Sequence, residues 1–193
     1  MNKLIQNFWS FNSHEVYVAS WLKDNLGPEY EVFFPVNSRF PYVDLIVFNS
    51  KNKKTVTVQV KSSQSYSAKY ENKKYWVSGH KIPSNKINPD KVDFFIFTYY
   101  YPELTKKKTV ISRNITNYFI VFQTSKLLDY VNKFKDSKTV KSKRIPFNFY
   151  IYPEDGKLYE DGRLKIQYAK SDKPLPTLQN TLGNSNIIKK MLQ

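Results

Sequence analysis

A chain of 193 residues is long enough for one α/β domain with a substantial hydrophobic core and an appended piece. It contains no cysteine, which excludes disulfides, thiolate zinc sites and cysteine nucleophiles, and no apolar run near the roughly 18 residues of a membrane span. The 31 basic side chains face only 16 acidic ones, leaving a net charge of +15. The excess is clustered: residues 51–91 carry ten Lys against Glu71 and Asp90, and residues 104–145 carry eleven basic residues against Asp129 and Asp136. Lys outnumbers Arg 27 to 4, as codon bias in an AT-rich genome would produce, but such bias does not explain the shortage of acids. Clustered positive charge on a folded domain is the footprint of a polyanion binder, so nucleic acid is the expected partner, ahead of an anionic membrane or plain solubility. The opening MNKLIQNFWSFNS has neither an apolar core nor a small-residue cleavage site, so no signal peptide is expected. The absence of cysteine fits a reducing cytoplasm, the expected location, and would also suit an exported protein.

The first predicted element is a helix. Asn12 caps it, Glu15 falls at the third helical position as in a capping box, and Phe11 staples onto Val16. Val16, Ala19 and Leu22 keep helical spacing, and Gly27-Pro28 closes the segment. Glu31–Phe34 reads as a short strand ended by Pro35. Tyr42–Phe48 is almost continuously apolar, which predicts a strand buried on both faces. Asn49–Lys54 is a polar turn, and Thr55–Lys61 alternates strictly, with Val56, Val58 and Val60 on one face. The two strands and the turn make a hairpin.

Residues 62–91 read as a polar, aromatic and basic insert with one short strand at Tyr75–Ser78. Asp93–Tyr100 and Asn117–Phe122 are buried strands, followed by a helix from Ser125 to about Phe134 and a basic loop at Lys135–Arg144. Asn148–Ala169 holds short strand-like pieces around turns at Glu154-Asp155-Gly156 and Glu160-Asp161-Gly162. From Lys170 onward the chain reads as extended or loosely ordered. The expectation is an α/β fold with a central mixed β-sheet flanked by helices, one domain over residues 1–147 and a partly irregular C-terminal extension, 148–193, packed on it.

The chemistry concentrates in the hairpin. With the turn centred near residues 51–52, paired residue numbers sum to about 103, so Asp44 lies opposite Gln59, and Lys61 shares the face of Gln59. A carboxylate, an amide and an ammonium thus meet among Val43, Leu45, Val58 and Val60, where isolated charges are unfavourable unless they pair or hold a cation. A structural ion pair across the hairpin is the plainer reading of Asp44 and Lys61, and a capping box is the plainer reading of Glu15.

The run from Glu15 through FPYVDLIVF to VQVKSS resembles the PD-(D/E)xK nuclease superfamily, in the branch whose second motif reads QxK. The match covers roughly residues 12–65, with Glu15 on the first helix, Asp44 on the second core strand and Gln59-Val60-Lys61 on the third. It departs from the family pattern in having Pro41 three positions before Asp44 and Gln59 in place of the commoner acid. The resemblance implies a restriction-endonuclease-like core and an Mg²⁺-dependent DNA endonuclease, with Mn²⁺ able to substitute. Asp44, Gln59, the Val60 carbonyl and Glu15 would be the metal ligands, with Lys61 beside them as the catalytic ammonium. A small chain with one such core suggests a homodimer that cuts two strands. Ser62, Ser63 and Gln64 at the mouth of the site, with Lys69, Lys73, Lys74, His80 and Lys81, are the expected DNA contacts. Lys86 and Lys91 extend this basic wall among Tyr66, Tyr70, Tyr75 and Trp76. The alternative is a nucleic-acid-binding module on the same fold without turnover, because Gln59 removes one formal charge from the metal site.

Overall fold

A computed structural model describes residues 13–35, 42–70, 73–107, 110–135, 144–151, 158–160 and 183–193. Helix α1 (Ser13–Leu26) buries Val18, Ala19, Leu22 and Leu26, a stripe at steps of one, three and four residues. Val16, expected on that stripe, is half exposed, because the buried face is centred two residues further on. Its cap Asn12 and the stapling Phe11 lie outside the described residues. Gly27 ends the helix with φ +116°, a conformation that side-chain-bearing residues rarely adopt, and its carbonyl accepts from the Tyr30 N–H.

The chain then forms β1 (Tyr30–Phe33), β2 (Leu45–Asn49) and β3 (Thr55–Tyr70). In β2 burial alternates, with Leu45, Val47 and Asn49 inside and Ile46 and Phe48 half-buried. The strand expected to be buried on both faces therefore has only one fully buried face. The turn between β2 and β3 is closed by Asn49 N–H to Lys54 O, with Lys53 at φ 63°. The ladder runs Leu45↔Val58 to Phe48↔Thr55, which is the register expected from the turn position.

Five strands make a mixed sheet in the order β1, β2, β3, β5 (Phe94–Lys107) and β6 (Val110–Gln123). All neighbours are antiparallel except β3 and β5, which run parallel from Val58↔Phe94 to Gln64↔Tyr100. Asp93 pins the start of that parallel pair. Its Oδ2 accepts from the Thr57 N–H at 2.7 Å and the Thr57 hydroxyl at 2.8 Å, and its carbonyl accepts from the Thr124 N–H that opens α2 (Thr124–Lys135).

Residues 62–83, expected as an insert with one short strand, are almost entirely β. β3 continues past the sheet to Tyr70 and turns back into β4 (Lys73–Pro83), with Ser65↔Ser78 to Tyr70↔Lys73 in register. The polar and basic composition hid this hairpin, because neither face of it shows a clean apolar alternation. A 3₁₀ turn, Ser84–Lys86, follows. β4 pairs with β7 (Arg144–Ile151), which pairs with β8 (Leu158–Glu160). The expected boundary at 147/148 therefore falls inside β7. The acidic turns at 154–156 and 160–162 and the loop at 136–143 lie wholly or largely outside the described residues.

The C-terminus corrects the expectation of a loosely ordered tail. Asn186–Leu192 is a helix, α3, whose Ile188 and Leu192 are fully buried in the same cluster as α1, β2 and β3. Two asparagines of the β2–β3 turn hold its end: Asn49 Nδ2 donates to Leu192 O at 3.1 Å and Asn52 Nδ2 at 2.6 Å. One face of the sheet thus packs Leu45, Val58, Val60, Phe94, Ile96 and Val121 under α1 and α3. Leu192→Ala is expected to destabilise the protein by about 2–5 kcal/mol, the range for emptying a buried leucine site, whereas Met191→Ala, on the exposed side, should change stability by under about 0.5 kcal/mol. Paired urea melts check this.

Candidate active site

Asp44 stands at the entrance to β2, where its N–H donates to the Val58 carbonyl at 2.9 Å. Continuing the ladder by one step sets it opposite Gln59, and the side chains join: Gln59 Nε2 donates to Asp44 Oδ2 at 2.7 Å. The same oxygen accepts from the Val60 backbone N–H at 2.7 Å. Two donors on one oxygen fix the carboxylate plane and leave Oδ1 without a hydrogen bond among the described residues. Gln59 is buried at 5% exposure, and because its amide nitrogen faces Asp44, its carbonyl oxygen is the end left to meet a ligand.

Lys61 follows on the same strand face. Its Nζ donates to the Val60 carbonyl at 3.2 Å. Burial pushes the Lys61 pKa below the ordinary lysine value. The negative charges of Asp44 and then Glu15 work against that shift, while the positive charge of Lys86 adds to it. Glu15, half-buried in the first turn of α1, therefore lies within electrostatic reach of the ammonium. The hairpin and the helix start bring together the four residues expected at the catalytic centre.

Asp44 and Glu15 supply carboxylate oxygens, and Gln59 and Val60 supply carbonyl oxygens. This all-oxygen set suits Mg²⁺, which commonly takes one or two carboxylates and keeps several waters. Among the described residues no group of three or more His, Cys, Asp or Glu gathers. The fit rests on the free Oδ1 of Asp44 and on the amide and backbone carbonyls beside it.

The expected DNA contacts divide. Ser62 and Ser63 are half-buried on β3, paired in register with Thr98 and Tyr99 of β5. Gln64, Lys69, Lys73, Lys74 and Lys81 sit on the β3–β4 hairpin, where Lys69 pairs with Lys74 and Lys81 with Pro146; their side chains lie outside the described residues. His80 is drawn inward. It is 6% exposed and meets Phe97 edge-on at 5.0 Å. Burial, with the nearby Lys61 charge, holds its pKa down to about 3, so the imidazole is neutral at pH 7 and carries no cation to a phosphate. Lys86 enters the electrostatics of Lys61 from the 3₁₀ turn, and its part in the site had no signal beyond belonging to a basic run.

The buried imidazole makes stability depend on pH. The unfolded chain protonates His80 near the ordinary histidine value of 6.5 and the folded chain only at about 3, so below pH 6.5 the unfolded state binds the extra proton. Stability is then lost as pH falls through this window, at up to about 1.4 kcal/mol per pH unit for one group, or about 2 kcal/mol between pH 6.5 and 5. Urea melts of His80→Gln should show a shallower decline over that interval than the wild-type protein, and parallel declines would refute the assignment. Comparison of the chain with family models, with curated proteins and with solved structures returns no match.

Proposed function

We propose that the protein is an Mg²⁺-dependent endonuclease that hydrolyses phosphodiester bonds in DNA, on a restriction-endonuclease-like core of the PD-(D/E)xK type. The observation that supports it most is the Asp44 carboxylate, held by Gln59 and Val60, which with Glu15 acts on the charge of Lys61. A hairpin needs no such cluster for its stability, since a buried ion pair often contributes nothing net. The charge of +15 supplies a surface on which a polyanion would be held.

In this reading Asp44 presents Oδ1 to the cation, Gln59 and Val60 offer their carbonyl oxygens, and Glu15 completes the set. The bound Mg²⁺, or Mn²⁺ in its place, supplies Lewis acidity to the phosphodiester and acidifies water. Lys61 stands beside the phosphate. Burial favours its neutral amine more than in water, suiting it to take a proton from the attacking water, and its ammonium form offsets charge growing on the phosphate. Cleavage of both strands would come from a homodimer, each copy presenting one such site. Among the described residues no helix is long and apolar enough to cross a membrane.

A second reading has its own support. Gln59 meets Asp44 through a neutral amide, so the site carries one negative charge fewer than an acidic residue there would give. On that basis the chain would be a DNA-binding module without turnover.

Plasmid cleavage separates the two. Asp44→Ala should abolish cutting in Mg²⁺ and Mn²⁺, and Lys61→Ala should slow it by about 10²–10³-fold, while both retain DNA binding. Wild type that cuts nothing, beside Gln59→Glu that cuts, would favour the binding module. Cleavage unchanged in Asp44→Ala would sink the site altogether.

A further inference from the structure

Two lysines from one short connection converge on a single aromatic ring beside the site. Lys86 Nζ lies 4.4 Å from the centroid of the Tyr42 ring and Lys91 Nζ lies 4.5 Å from it. The two ammonium groups are therefore no farther apart than those distances laid end to end. Tyr42 is two residues before Asp44, and Lys86 is close enough to Lys61 to repel its charge. Three cations thus gather at one end of the site.

The connection that carries Lys86 and Lys91 is firmly seated. Ile82, Ile87 and Val92 are buried along it, and the Lys91 and Val92 N–H groups both donate to the Asn88 carbonyl. The backbone is thus fixed where both side chains reach the one ring. The carboxylates on the same stretch do not neutralise them. Asp93 is committed to Thr57, and Asp90 is exposed, with no ion pair among the described residues. The negative face of the ring offsets part of the repulsion and orients both ammonium groups. A phosphate between them would convert the rest into charge-assisted hydrogen bonds.

We infer that Tyr42, Lys86 and Lys91 form a seat for one backbone phosphate of a DNA strand, next to the phosphate held at Asp44 and Lys61. The ring is the platform that prepositions the two cations. This assignment rests on the nuclease reading for its strand but not for its chemistry, since phosphate capture needs no turnover. It differs from a diffuse basic wall in one respect: an uncharged residue, Tyr42, controls the affinity.

The probe is a fluorescent single-stranded DNA oligonucleotide, titrated with the full-length protein in EDTA so that nothing is cut, over a series of NaCl concentrations. Each phosphate contact contributes about 0.7 to the slope of log affinity against log salt for a single strand, so Lys86→Ala/Lys91→Ala, which removes the one seat, should lower the slope by about 0.7 and the affinity about fivefold near 0.1 M salt. Tyr42→Leu should weaken binding severalfold, and Tyr42→Phe, which keeps the ring, should bind like wild type. Circular dichroism on each variant confirms folding, and the Tyr42→Phe protein keeps the test valid if Tyr42→Leu does not fold. An unchanged slope in the double variant, or Tyr42→Phe binding as poorly as Tyr42→Leu, overturns the seat. Sodium phosphate should displace the oligonucleotide no better than NaCl of equal ionic strength. Inorganic phosphate binding that is lost in the double variant, beside oligonucleotide binding that the same substitutions leave unchanged, would assign the seat to free phosphate and overturn the DNA assignment. Asp44→Ala should leave the slope intact, so loss of cleavage alone refutes neither the seat nor its ligand.

Discussion

Strand β3 holds two partners in opposite senses at once, and its register with each of them decides what the rest of the molecule can be. Against β2 it pairs Leu45 with Val58, and against β5 it pairs Val58 with Phe94. Side chains alternate along a strand, so a slip of one residue would exchange Val58 and Val60 for Gln59 and Lys61 beneath α1 and α3. That exchange would put an amide and an ammonium into an apolar cluster and is strongly disfavoured. The bracket between Asp93 and Thr57 holds the register from the side of β5, and the turn with its two asparagines holds it from the side of β2.

The electrostatics of the site follow from that register. Lys61 lies where burial disfavours its charge, and Asp44 and Glu15 favour it. The balance leaves a lysine with a depressed pKa within electrostatic reach of a carboxylate whose other oxygen has no hydrogen bond among the described residues. His80 belongs to the same environment for a different reason. Packed against Phe97 and near Lys61, it is kept neutral, so it contributes shape and a ring nitrogen but no charge. Positive charge next to the site comes instead from Lys86 and Lys91, whose positions depend on the buried anchors of their connection.

The long hairpins place part of the basic sequence on strands that extend past the site. β3 with β4 and β5 with β6 both run well beyond the five-strand core, and the register opposes Lys69 to Lys74 and Lys107 to Val110. Unlike the paired chemistry at Asp44, charge spread along such ladders acts through number and spacing, and its contribution is screened by salt.

The β2–β3 hairpin, the pairing of Asp44 with Gln59, and the helix over residues 13–26 were legible in the sequence. Each depends on local signals: strict alternation, a short polar turn, and a Gly-Pro stop. The same signals failed for residues 62–83, where polar and aromatic side chains mask a strand that is stabilised by pairing with its neighbours, and for Val16, since a helix shows its stripe but not which edge of the stripe meets the sheet. The docking of α3 was not legible either. Seven residues make too short a helix to be stable alone, and only the apolar sheet face that also packs α1 gives Ile188 and Leu192 a place to bury. Likewise nothing local distinguishes His80, Lys86 and Lys91 from other members of a basic run. The sequence by itself determined which groups could do chemistry, because side-chain type and strand period are local properties. Tertiary structure alone decided which of them are buried, neutral or brought to one ring, because burial and charge proximity depend on contacts between segments far apart in the chain.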